Sequence, residues 1–173
     1  MTTAELDLAV RTWRDGGDAF RLALEHAVAA EVDCSGRAFP FAPLHGAQLA
    51  GARFRAVDFD GADLSGADLR GADLRGAVFS GAFMLGARLA GAQCAGAQFN
   101  AAFCREVDFT DADLSDANLH GTWLHGALVG GATLDRVDLA EASLAAVDLR
   151  GVDLTSAAFD GRTLWPKGFE SPG

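Results

Sequence analysis

A period of five, unbroken from Cys34 to Leu164, constrains this chain more than anything else in it. Counting from Leu64, every fifth position is apolar: Cys34, Phe39, Leu44, Leu49, Phe54 and Phe59 precede it. Leu69, Leu74, Phe79, Met84, Leu89, Cys94, Phe99, Cys104 and Phe109 follow, and the series runs on to Phe159 and Leu164 without an insertion in the count. Two residues before each centre stands a small residue, Ala in most repeats and Val57, Val107, Val137, Val147 or Val152 in others. Two residues after it Gly dominates, as at Gly46, Gly61 and Gly81. Five is neither the 3.6 period of a helix nor the 2 of an ordinary strand. A small and a large residue two apart share one side of an extended segment, and the Gly position supplies the permissive backbone of a corner. Each pentapeptide therefore reads as one short extended side and a turn. Four sides would close a square coil, and stacked coils would pair through their backbones at ~4.8 Å. The period alone does not set the number of sides.

At 173 residues the chain reads as one domain with a core of its own. Its net charge of −10 disfavours a nucleic-acid-binding surface. The opening MTTAELDL has no basic flank leading into an apolar run, so no signal peptide is expected. No uncharged apolar stretch is long enough to span a bilayer. Three cysteines argue against a disulfide framework and fit a reducing cytoplasm.

Written as A(D/N)LxG, as in Ala62-Asp63-Leu64-Ser65-Gly66 and Ala117-Asn118-Leu119-His120-Gly121, the motif resembles the pentapeptide-repeat family over roughly residues 32–166. The resemblance implies an all-β solenoid, a right-handed quadrilateral β-helix with four pentapeptides per coil. Residues 1–31 are expected to form a short helical cap and residues 167–173 a C-terminal tail. Within the cap, residues 2–14 and 18–31 read as helices. Thr2 and Glu5 have capping-box spacing, with Leu6, Val10 and Trp13 on one stripe and Phe20, Leu24 and Val28 on another. An open stack exposes unpaired edges. At the far end Leu164, Trp165 and Phe169 either fold over the last coil or form a homodimer contact.

With twenty residues per coil, positions twenty apart stack, and the exterior can be unrolled. The side centred on Phe39, Phe59, Phe79 and Phe99 carries Asp58, Asp60, Asp138 and Asp160 at its outward positions, with no Lys or Arg. The side centred on Cys34 and Phe54 sets Asp33, Asp73, Asp113, Asp135 and Asp153 against Arg53, Arg55 and Arg75, with Asp116 at the corner between the two. The side centred on Leu49 is roughly neutral. The side centred on Leu44 is different: Phe83, Phe103 and Trp123 fall one coil apart, flanked by Leu85, with Trp165 further along. The acids either form a partner surface, for which Asp58, Asp60, Asp73, Asp113, Asp116, Asp138 and Asp160 are the candidates, or serve their own turns. The stripe of Phe83, Leu85, Phe103 and Trp123 is either a partner surface or covered by the N-terminal helices or the tail.

No catalytic constellation emerges, and neither a cofactor nor a metal is expected. Cys34, Cys94 and Cys104 all sit at inward centres, where Cys acts as a small core hydrophobe. His45 and His125 share a side but lie four coils apart, and His120 with His125 makes a weak ligand pair. No Cys pair has zinc spacing, and no phosphate-loop sequence occurs among the glycines. The family resemblance implies one defined role. Some bacterial members, the quinolone-resistance proteins among them, bind DNA gyrase or topoisomerase IV through an acidic rod that resembles duplex DNA, and so protect the enzyme from poisons. At ~4.8 Å per coil the rod here would be about 32 Å long, or about 65 Å as an end-to-end dimer. Arginines within the coils, the N-terminal helices and the lack of a projecting loop depart from that pattern. The competing expectation is a protein-interaction scaffold that uses the aromatic stripe.

Overall fold

The computed structural model describes residues 17–171. The expected helix at residues 2–14, with its Thr2–Glu5 cap and its Leu6, Val10 and Trp13 stripe, lies outside the described residues. The second expected helix is present as α1, Gly17–Ala29, with Asp18 in its first turn, where a carboxylate favours the positive end of the helix dipole.

From Ala38 onward the chain winds as a coil. Parallel bridges join residues twenty apart, from Ala38 with Asp58 through Phe83 with Phe103 to Trp123 with Ser143. Since the backbone turns every fifth residue, twenty residues close four sides. Leu64 shows the ladder locally: its N–H donates to the Phe83 carbonyl at 2.7 Å, while the N–H of Asp63 donates to Ala42 at 3.0 Å. The corner position takes a positive φ from Glu31 to Gly151, in glycines such as Gly61 and also in Phe41, Ala101, Asp111, Asp116 and Arg136.

The centres and the small residues two before them fill the interior. Phe39, Phe59, Phe79 and Phe99 form one continuous stack, with ring centroids 5.7, 5.5 and 4.9 Å apart. Phe54 and Phe109 pack edge-on against it. Each such side chain contributes about 1.5–3 kcal/mol by burial. At the N-terminal end α1 closes the core: Phe20, Leu24 and Ala27 are buried, and the Phe20 ring lies 5.4 Å from Phe39. The helix also satisfies the edge it covers. Glu25 Oε1 accepts the Gln48 N–H at 2.9 Å, and Pro43, at the equivalent place on the next side back, has no N–H to leave unpaired.

The C-terminal coil corrects the sequence reading. Ser143 pairs with Leu164, not with residue 163, so one extra residue enters after Phe159. Leu164 is therefore an outward residue, 60 % exposed, not an inward centre. Thr163 takes the small inward slot and Trp165 the centre. The Trp165 ring packs edge-on against Phe159 and stacks on Phe169, at 5.3 Å each, so both aromatics fold over the end of the core. The cause lies in Arg162. An uninterrupted count of five would put its guanidinium into the small inward position, and a buried cation without a partner is costly. The slip leaves Arg162 outside, 2.6 Å from Glu141 and 3.3 Å from Asp160. Thr163 satisfies its own hydroxyl by donating to the Leu139 carbonyl at 3.0 Å. The last coil also loosens on two sides: among the described residues no bridge joins Leu128 to Asp148 or Thr133 to Asp153.

Candidate functional site

The repeat aims alternate residues of each side in and out, and on the Leu44 side the outward position just before the centre holds large rings. Phe83 and Phe103 stack 5.0 Å apart with planes 4° from parallel, and Trp123 continues the row at 6.2 Å. These rings remain 50, 40 and 55 % exposed, and Leu85 beside them 52 %. The structure therefore brings the four predicted stripe residues onto one surface. It also extends that surface in ways the period concealed. The one-residue slip places Leu164 on the same outward row, beyond Ser143, while Trp165, expected further along this stripe, turns inward. Phe41, at the corner, projects its ring over Gly61 and is the most exposed large apolar residue described. Its position in the phase, where Gly usually stands, was the available signal.

The acidic candidates divide by what their carboxylates hold. Asp residues one before a centre bend back to accept the N–H two residues on: Asp58 from Asp60 at 2.9 Å, Asp113 from Ser115 at 3.0 Å and Asp138 from Ala140 at 2.9 Å. This is the Asx-turn geometry that makes Asp and Asn suit the place. Asp73 adds a two-pronged bond to Arg75, which lowers its pKa. Asp116 makes the same kind of pair with Arg136, one coil on, at 2.6 and 2.7 Å, and is likewise lowered. Asp160 is held at about 2, first by the Glu141 N–H and then by Arg162. Asp73, Asp116 and Asp160 are thus engaged within the coil, whereas Asp58, Asp60, Asp113 and Asp138 have no ion pair among the described residues.

The expected dimer end separates in the same way. Trp165 and Phe169 are used against their own core, and Leu164 faces solvent. The three cysteines are buried, and desolvation pushes the Cys34 thiol up to about 11 and the other two higher still. No group of His, Cys, Asp and Glu able to hold a metal occurs among the described residues. No described helix is long and apolar enough to cross a membrane.

A family model described as pentapeptide repeats matches in overlapping copies that together cover residues 41–161. No curated protein matches the sequence. Among solved structures, HetL of Nostoc sp. strain PCC 7120, described as involved in heterocyst differentiation regulation, is 26 % identical. The match covers 76 % of this chain and 72 % of HetL, with a TM-score of 0.43. The Nostoc protein alr5209 is 29 % identical over 65 % of this chain and 77 % of its own, with a TM-score of 0.49. QnrB1, a plasmid-mediated fluoroquinolone resistance protein, is 18 % identical over 73 % of this chain and 79 % of its own, with a TM-score of 0.29.

Proposed function

Because this chain belongs to the pentapeptide-repeat family, we propose that it is a non-enzymatic protein-binding module that recognises its partner through the Leu44 side. In this reading residues 32–166 form the right-handed solenoid, residues 1–31 its cap and residues 167–173 its tail, and the protein works in a reducing cytoplasm. The observation that carries it is the exposed stack of Phe83, Phe103 and Trp123 on a rigid coil. Contiguous exposed apolar surface marks partner sites on soluble proteins, and aromatic side chains dominate the energy of such contacts. A stacked row at the coil spacing also presents its rings already ordered, which lowers the entropy lost on binding. The test is a Phe83→Ser/Phe103→Ser/Trp123→Ser triple variant. Outward positions should tolerate it, so it is expected to keep the wild-type circular dichroism and lose its partner in pull-downs. Unchanged association would sink the proposal.

A second reading, binding of DNA gyrase or topoisomerase IV by an acidic rod that imitates DNA, is favoured by the net charge of −10 and by Asp58, Asp60 and Asp138 on the Phe39 side. Against it stands the engagement of Asp73, Asp116 and Asp160 with arginines of the same chain. Titrating the protein into a gyrase supercoiling assay, with and without a fluoroquinolone, separates the two. Neither inhibition nor protection at micromolar protein would rule the second reading out.

A further inference from the structure

We infer that the segment taken by the aromatic side is acidic, a stretch of partner chain carrying a carboxylate beside an apolar anchor. The inference rests on the reading of this side as a binding surface and adds the chemistry of its occupant. It starts from the charges that frame the rings. On the outward row following the centres, this side reads His45, Ser65, Leu85, Arg105, His125 and Ala145. Arg105, His125, Trp123 and Ser143 line one shallow hollow. Elsewhere on the coil most arginines meet carboxylates: Arg70 with Asp68, Arg75 with Asp73, Arg136 with Asp116, Arg150 with Asp148 and Arg162 with Glu141, while Arg55, without an ion pair among the described residues, lies near enough to Asp73 to lower its pKa. Arg105 is exposed and has no ion pair among the described residues.

None of the nearby acids pairs with Arg105 among the described residues. Asp63, on the same side, accepts the Ser65 N–H on its Oδ1 at 3.1 Å. Glu141, at the corner beside Trp123, is taken by Arg162 at 2.6 Å. Glu106, at the corner after Arg105, lies with its side chain near Gly126 and makes no ion pair. In a chain of net charge −10, the aromatic side is thus the place where an uncommitted cation sits against exposed rings. A basic partner would be drawn to the other sides, and an uncharged one would leave Arg105 partly desolvated without a mate. Complementary charge at the rim of an apolar patch selects partners and sets their register.

The probe is a random peptide library displayed on phage and selected against the full-length protein. The expected outcome is enrichment of peptides that place Asp or Glu near Trp, Phe or Leu, and that the Phe83→Ser/Phe103→Ser/Trp123→Ser variant fails to bind. For such a peptide, Arg105→Ala should weaken binding about fivefold, the upper range for an exposed pair, and Arg105→Glu more. Added salt should narrow the difference. Enriched peptides that lose binding to the triple variant but are indifferent to Arg105→Glu would overturn the acidic occupant and leave the binding surface standing. Peptides indifferent to both variants, or no enrichment, would overturn both. A concentration-dependent dimer in sedimentation that Arg105→Glu dissolves would replace the partner segment with a second copy of the chain.

Discussion

Ser143 bridges to Leu164, twenty-one residues on, where Trp123 and every bridge before it reaches a residue twenty away. Two threonine bonds record the same slip. Thr122 donates its hydroxyl to the Phe99 carbonyl at 2.7 Å, twenty-three residues back, and Thr163 makes the equivalent bond to Leu139, twenty-four back. The added residue moves Arg162 out, Thr163 in, Leu164 out and Trp165 in, so it both closes the core and lengthens the apolar row.

Thr163→Arg would carry a guanidinium into the small inward slot that the slip keeps free of Arg162. The expected cost is roughly 3 kcal/mol, the scale of a buried charge deprived of its partner. Thermal unfolding checks it, and wild-type stability in this variant would show that the slot tolerates a cation and that the slip does not protect the core from Arg162. Trp165→Ala, which removes a half-buried ring from Phe159 and Phe169, should cost about 2 kcal/mol by the same measurement.

The unbridged stretch should open first. Val129, Gly131 and Leu134 occupy ladder positions whose N–H groups have no carbonyl partner in the last coil, whereas Leu119 and Leu124 donate at 2.8 Å each. Amide hydrogen exchange is expected to be faster at the first three than at the last two. Equal protection would mean that the last coil closes in solution.

Corner geometry predicts opposite effects for two small substitutions. Ala101 sits at φ +56° and Gly81 at φ +61°. A left-handed backbone costs a residue with a Cβ roughly 1–2 kcal/mol. Gly81→Ala, with nothing within 4 Å of the added carbon, should therefore destabilise through backbone strain alone. Ala101→Gly should relieve strain and, after the extra entropy of unfolded Gly is set against it, end near neutral or slightly stabilising. Denaturant midpoints decide between this and a corner that tolerates either residue.

Asp160 couples the last coil to acid. Its carboxyl is held at about 2, below its ordinary 3.8, first by the Glu141 N–H and further by Arg162. A depressed folded-state value means that its stabilisation is complete above pH 3.8 and lost as the pH falls through about 2. Asp160→Asn keeps an acceptor for Glu141 but loses the titrating charge. Its stability should fall less steeply than the wild type's across that window in pH-dependent unfolding, and parallel curves would show that Asp160 does not carry the acid dependence. Asp148, also held at about 2 by Arg150, supplies part of the remainder.

Most of the coil was legible because a five-residue rule leaves each position one environment. Phe59, Phe79 and Phe99 had to face inward together, and Phe83, Phe103 and Trp123 outward together, once positions twenty apart were stacked. The fate of the acids was half legible. Asp at the place before a centre suggested a turn-forming residue, and Asp58, Asp113 and Asp138 bond their own turns. That Asp116 would find Arg136 across a coil depended on two long side chains meeting at a corner, which a linear pattern does not describe.

By itself the sequence determined the period, the inward and outward faces, the phenylalanine stack and the place of the aromatic row. These follow from local geometry repeated without change. Only the tertiary structure decided how the ends close: α1 over Phe39, and Trp165 with Phe169 over Phe159. It also decided that Leu164 faces out, although Leu164 kept perfect count. An apolar residue satisfies the period whether or not it is buried, so the count could not detect a slip between Leu164 and Trp165. Arg162 detects it, because a guanidinium cannot be left without a partner between two coils.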